Sequence, residues 1–262
     1  MNLSDVSQTA IYTLICRVTQ IEKGNPGFDD SMAVLCLNNL IASLSEEDKK
    51  SILKLKKLMA GGGSRDAKRI VQRTSIIDGI VNDYISKNPS CTVISLACGL
   101  DTRFWRIDNE KCKYLELDLP EVISQKKEIL KEHLNYELIG CSVLDTSWID
   151  RITVNGNSNF LIIAEGLFMY LSEPDATRLL QEIARRFNRS QFVLDMIHKK
   201  WTKGFYKKFV AWNYKFFLGL NTSWEFGFQD PHDIESYGDG YKVIDVKGKP
   251  PYVLTASINE NA

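Results

Sequence analysis

Thr92-Val93-Ile94-Ser95-Leu96-Ala97, followed at once by Cys98-Gly99-Leu100-Asp101-Thr102-Arg103, is the stretch that decides the fold of this 262-residue chain. A short, mostly apolar run that ends in a glycine-containing loop is the pattern of a strand buried on both faces. Residues 114–117, 136–142, 160–164 and 191–197 repeat the pattern, and helix-like stretches at 120–133 and 174–188 lie between them. Buried strands spaced by helices imply βαβ units and a parallel sheet. Residues 241–246 and 252–258 differ, because only a Lys-Gly-Lys-Pro-Pro turn separates them. No crossover helix fits there, so these last two strands are expected to be antiparallel.

Upstream of residue 90 the periodicity is helical throughout. Ala10, Ile11, Leu14, Ile15 and Val18 share one helical face within 7–18, and 31–44 repeats the idea. Ser45 with Asp48 three positions later reads as a capping-box start. Gly61-Gly62-Gly63 breaks the chain, and Ser64 can cap a further helix with the stripe Ile70, Val71, Thr74, Ile77, Val81 and Tyr84, ended by Asn88-Pro89. The expected architecture is α/β: a doubly wound, mostly parallel seven-stranded sheet with an antiparallel terminal hairpin. A helical cap at 1–90 precedes an α/β core at 91–262, in one structural domain overall.

Composition removes several function classes. Thirty-three basic side chains balance 33 acidic ones, so the electrostatic footprint of a nucleic-acid binder is missing. Phe160–Ala164 is the longest strongly apolar run, far short of the about 20 residues of a membrane span. Met1-Asn-Leu-Ser-Asp lacks the positive charge and apolar stretch of a signal peptide. Cysteines at 16, 36, 91, 98, 112 and 141 show neither close pairing nor metal-ligand spacing, and read as reduced thiols. The expectation is a cytoplasmic protein with no metal, no nucleic-acid partner and no membrane partner. Its oligomeric state is left open.

In an open parallel sheet, ligands bind beyond the carboxyl ends of the strands, where strand order reverses. The loop at Ala97, Cys98 and Gly99 occupies that place, and Asp118 ends the next strand about 20 residues later. A carboxylate there can accept hydrogen bonds from both hydroxyls of a ribose. A pyrophosphate would need several glycines and a free helix N-terminus, whereas here Leu100, Asp101 and Arg103 crowd the loop. An adenosyl ligand without phosphates fits better than a nicotinamide dinucleotide, so an oxidoreductase is the weaker enzyme reading.

Three blocks carry a resemblance: 96–103, Leu115-Glu116-Leu117-Asp118-Leu119-Pro120-Glu121-Val122, and Ala164-Glu165-Gly166-Leu167-Phe168-Met169-Tyr170-Leu171. Together with Arg73-Thr74-Ser75-Ile76-Ile77-Asp78 and the N-terminal Val6-Ser7-Gln8-Thr9, Arg17 and Asp29-Asp30, they resemble the leucine carboxyl methyltransferase family. The resemblance is to its bacterial, tetracenomycin-type polyketide O-methyltransferase branch, and it covers most of residues 1–200. It implies a class I methyltransferase fold, Rossmann-like, that takes S-adenosylmethionine and releases S-adenosylhomocysteine. By the family pattern, Arg73 pairs with the methionine carboxylate, and Ala97, Cys98 and Gly99 lie against the cofactor. Asp118 and Leu119 hold the ribose, Ser142 and Val143 flank the adenine, and Glu165 and Gly166 lie near the methionine amine. Ser142 departs from the Asp of the eukaryotic protein-modifying members, which weakens the reading as a protein carboxyl methyltransferase.

A carboxylate acceptor needs no deprotonation at neutral pH, whereas a hydroxyl benefits from a general base. His198, directly after the fifth strand, is the candidate base, with a solvated histidine beside Lys199 and Lys200 as the plainer reading. Aromatic residues crowd 201–228, and Phe205, Phe209, Trp212 and Phe216 fall at helical spacing. That pattern is expected to pack its apolar face inward as a lid at 198–228, between strands five and six, over the pocket of a small-molecule acceptor. A carboxylate or hydroxyl on an apolar or aromatic, polyketide-like molecule is the expected target. A cofactor-binding module without turnover is the non-enzyme alternative.

Overall fold

A computed structural model describes residues 5–25, 27–61, 64–107, 110, 112–153, 159–219 and 222–259. Gly62 and Gly63 of the glycine break lie outside the described residues, as do Met1 to Ser4. Helices α1 (Asp5–Glu22), α2 (Ser31–Ser43), α3 (Glu46–Ala60) and α4 (Ser64–Lys87) come first. Ser45 caps α3, its hydroxyl accepting the Asp48 N–H at 3.2 Å. Ser64 is the first residue of α4.

The sheet follows: β1 (Thr92–Leu96), β2 (Lys113–Asp118), β3 (Glu137–Gly140), β4 (Phe160–Ala164), β5 (Ser190–Met196), β6 (Tyr241–Lys247) and β7 (Tyr252–Ile258). Its order is β3-β2-β1-β4-β5-β7-β6, parallel from β3 to β5, with β7 antiparallel to both β5 and β6. Helices α5 (Arg103–Ile107), α6 (Pro120–Leu130), α7 (Ser147–Thr153) and α8 (Glu173–Arg186) cross between the strands, and α9 (Gly204–Asn213) precedes β6. The third strand stops two residues before its expected end. Ser142 turns the chain instead, its hydroxyl accepting the Leu144 N–H at 3.2 Å.

Alternation along β4 shows how the layers form. Phe160, Ile162 and Ala164 join a core with α7 and α8, while Leu161 and Ile163 join another with α4 and α5. A third cluster joins α1, α2 and α3 to Ile129 and Leu130 of α6. The expected boundary near residue 90 is therefore crossed by packing, because Ile77 and Val81 of α4 cover the sheet itself. One charged pair lies wholly inside: Lys126 of α6 donates to Glu116 of β2 at 2.5 Å and to the Asp101 carbonyl at 2.6 Å.

The aromatic insert departs from expectation. Phe205, Phe209, Trp212 and Phe216 do not face the core: they are 76, 47, 55 and 68% exposed. The other side of α9, with Val210, Asn213 and Tyr214, faces inward instead. Among the described residues, no helix is long and apolar enough to cross a membrane.

Candidate active site

Strand order reverses between β1 and β4, so the loops after these two strands diverge and leave a crevice. A cavity of about 1070 Å³ opens there, above the range typical of a single small-ligand pocket. Every residue singled out from sequence lines it: Arg73, Ala97, Cys98, Gly99, Asp118, Leu119, Ser142, Val143, Glu165, Gly166 and His198. The carboxyl ends of β1 through β5 thus converge on one space.

The loop after β1 is held in unusual backbone geometry. Ala97 has φ +50° and Gly99 φ +51°. A Cβ at Gly99 would lie 2.9 Å from the Ala10 Cβ of α1, so the glycine admits the cap helix as well as the turn. The Gly99 N–H donates to Asp118 Oδ2 at 2.7 Å, and the Leu119 N–H donates to Asp118 Oδ1 at 2.7 Å. Each carboxylate oxygen keeps a further acceptor position. Burial pushes the Asp118 carboxyl up, against the pull of these two amides.

On the opposite wall, Arg73 of α4 donates from Nε to Glu165 at 2.8 Å and from Nη1 to Asp195 at 2.8 Å. Its Nη2 makes no hydrogen bond among the described residues. Glu165 also accepts the Thr74 hydroxyl at 3.1 Å and an Nη2 donor from Arg103. That occupies about three of the four acceptor positions of the Glu165 carboxylate. Although burial opposes ionisation, Arg73 and Arg103 hold the Glu165 carboxyl below its usual range. Asp195 completes the corner by accepting the Gly166 N–H at 2.7 Å.

Sequence reading passed over Asp195, and the signal was an acid inside the apolar run Val193-Leu194-Asp195-Met196. It also passed over the ion pairs beneath the loop, where Arg103 meets Asp78 at 2.7 Å and Asp101 at 2.7 Å. His198 is exposed, and its Nδ1 accepts the Lys200 N–H at 3.0 Å, leaving Nε2 as its remaining ring nitrogen. A second polar group faces the cavity from the lid side. Tyr170 and Tyr214 hydroxyls lie 3.0 Å apart, and the buried Trp224 indole N–H lies beside the pair. Burial keeps both phenols above their usual range, so they act as donors.

A sequence profile described as leucine carboxyl methyltransferase matches residues 10–184. The chain belongs to the leucine carboxyl methyltransferase family. It is 26% identical to the tetracenomycin polyketide synthesis O-methyltransferase TcmP of Streptomyces glaucescens, over 92% of this chain and 82% of that one. Against leucine carboxyl methyltransferase 1 of Caenorhabditis elegans it is 28% identical over 46% of each chain. An O-methyltransferase family protein from Burkholderia thailandensis shares the fold, with a TM-score of 0.50 at 12% identity, over 79% of this chain and 63% of that one. As a family member the chain is an S-adenosylmethionine-dependent methyltransferase.

The residues present fit that cofactor. Its amino-acid end carries a carboxylate and an ammonium, its sugar two adjacent hydroxyls, and it has no phosphate. The cavity offers a guanidinium N–H, a carboxylate corner, two free acceptor positions on Asp118, and no cluster of glycine amides for a pyrophosphate.

Proposed function

We propose that this methyltransferase acts on an oxygen of a small, apolar or aromatic molecule, with a carboxylate better suited than a hydroxyl. The carrying observation is the Tyr170–Tyr214–Trp224 group on the lid side of the cavity. One hydroxyl of the pair donates to the other, so one hydroxyl proton stays available, with the Trp224 indole N–H beside it. Donors of this kind hold an oxygen that is already ionised. They do not remove a proton, since burial keeps both phenols protonated. The surrounding wall of Met169, Leu171, Trp201 and Val210 suits an apolar body.

Arg73 Nη2 would take the cofactor carboxylate, the Asp118 oxygens the ribose hydroxyls, and Glu165 with Asp195 the ammonium. Ser142 and Val143 would border the adenine. Bound there, S-adenosylmethionine supplies an electrophilic methyl group on a positively charged sulfur. The protein contributes alignment and exclusion of water, which suffice for an in-line displacement by a carboxylate oxygen. His198 Nε2 would serve as base only for a hydroxyl acceptor. A protein terminus is the weaker acceptor, because likeness to the protein-modifying relative spans 46% of this chain against 92% for the polyketide relative.

The test offers aromatic carboxylic acids and phenols of matched size and measures S-adenosylhomocysteine release, with products separated as methyl esters or ethers. Ester formation is expected, with kcat insensitive to His198→Ala and KM raised at least about tenfold in Tyr170→Phe/Tyr214→Phe. Ether products that vanish in His198→Ala would overturn the carboxylate assignment. Turnover on peptides with a free C-terminus, and on neither small class, would overturn the small-molecule reading.

A further inference from the structure

The lid helix shows its aromatic rings to the outside. Phe205, Phe209, Trp212 and Phe216 sit at i, i+4, i+7 and i+11, so they form one stripe along α9 and the helical turn that continues it to Leu218. Phe205 stacks on Phe209 with centroids 6.5 Å apart, and Trp212 stacks on Phe216 at 5.2 Å. Exposed aromatic side chains grouped in this way are uncommon on a surface that meets only water.

The charges around the stripe are of one sign. Between Asp195 and Glu225 the sequence holds Lys199, Lys200, Lys203, Lys207, Lys208 and Lys215, and no acid. Lys199 and Lys207 are neutralised by Glu173 and Glu225. Lys200, Lys203, Lys208 and Lys215 are exposed and form no ion pair among the described residues. Lys208 and Lys215, seven residues apart, run beside the aromatic stripe.

We infer that this outer face of α9 docks the protein on an anionic lipid surface. Aromatic rings settle at the boundary between headgroups and acyl chains, and lysines reach from beside them to lipid phosphates and carboxylates. The charge pattern disfavours a second copy of this chain as the occupant. A two-fold contact through α9 would oppose unpaired lysines with lysines and leave no acid between them. The expectation of no membrane partner rested on the missing span, and a helix lying in the interface needs none.

Docking in this way has a consequence for the cavity. Phe209 lies on the exposed stripe and also lines the cavity, whose wall continues through Val210, Asn213 and Tyr214 on the inner side of the same helix. The cavity mouth would then adjoin the bilayer, where an apolar acceptor concentrates. That consequence rests on the proposed acceptor, whereas docking itself does not.

Vesicle flotation without cofactor or acceptor separates the two. The full chain is mixed with vesicles of phosphatidylcholine alone, or with about one third phosphatidylglycerol, in about 0.1 M and about 0.5 M salt. Binding is expected to the anionic vesicles at low salt, at least about tenfold above that to neutral ones, and to fall at high salt. Phe205→Ser/Trp212→Ser/Phe216→Ser and, separately, Lys203→Gln/Lys208→Gln/Lys215→Gln should each lose at least about tenfold in partitioning. Calorimetry with S-adenosylmethionine shows that both variants keep their fold. No flotation, or equal flotation on neutral vesicles, overturns the inference. So would anionic binding that both variants retain, or a dimer of the wild-type chain that dissociates in the aromatic variant without any vesicle binding.

Discussion

At the scale of single residues, Asp118 carries the sharpest prediction. Its carboxylate has one oxygen on the Gly99 amide and the other on the Leu119 amide, so a ribose would use the two acceptor positions that remain. Asp118→Ala is expected to weaken S-adenosylmethionine binding by about 1–3 kcal/mol in calorimetry. Unchanged affinity would remove Asp118 from the ribose site. The pH dependence follows from burial, which raises this carboxyl above its ordinary value of about 3.9. As pH falls, Asp118 and Asp195, both raised by burial, take up protons before Glu165 and Asp101, which their arginines hold low against burial. Cofactor affinity is therefore expected to drop at a pH where far-UV circular dichroism is still native. Asp118→Asn should lack the part of that early step due to the ribose contact and keep the part due to Asp195. Simultaneous loss of affinity and dichroism in the wild-type chain would contradict this order.

Among elements, the contact of α1 with the loop after β1 decides whether the cap and the sheet fit together. Gly99→Ala would force a side chain to φ +51° and press its Cβ on Ala10 at 2.9 Å. Denaturant midpoints should report a loss of about 1–3 kcal/mol. Adding Ala10→Gly should recover the part due to collision and leave the part due to φ, giving a favourable coupling in the double-mutant cycle. Strict additivity would mean that α1 does not press on the loop. The strands were legible because a buried parallel strand leaves a short apolar run, and the β6–β7 pairing because its turn is too short for a crossover. Helices α5 and α7, of five and seven residues, escaped because so few residues do not define a helical period. Helix α9 was legible as a helix but not in its orientation. Spacing shows that Phe205, Phe209, Trp212 and Phe216 share a face; it carries no information on which side the sheet lies. Asp118 and Glu165 could be read from strand ends, whereas the Glu165 partners Arg73 and Arg103 lie 92 and 62 residues away, and Arg73 was reached only through the family resemblance.

Over the whole molecule, a buried chain of ion pairs joins cap to core. Arg17 of α1 meets Asp30 at 2.6 Å, Asp30 meets Arg106 of α5 at 2.7 Å, and Arg106 meets Asp78 of α4 at 2.6 Å. Asp78 meets Arg103, which holds Asp101 and reaches Glu165 at the cavity. Desolvation of so many charges is costly, so the network tells little about net stability, but removing one member leaves an uncompensated charge in the interior. Burial tends to raise the Asp101 carboxyl, and Arg103, Arg106 and Arg17 overcome it and hold the group well below its usual range. A carboxyl depressed on folding adds stability above its unfolded value, near 4, and loses it as pH falls further. Urea unfolding at pH 7, 5 and 4 should therefore show stability declining toward the lowest pH, with cap and sheet melting in one transition because the pairs bridge them. Asp101→Asn is expected to cost about 1–3 kcal/mol at pH 7, by leaving Arg103 with only Asp78 and Glu165, and to flatten the decline below pH 5. A variant that keeps the wild-type slope would show that Asp101 is not what couples the fold to acid. Two separated transitions in the wild-type chain would show that the ion pairs do not bind the cap to the sheet.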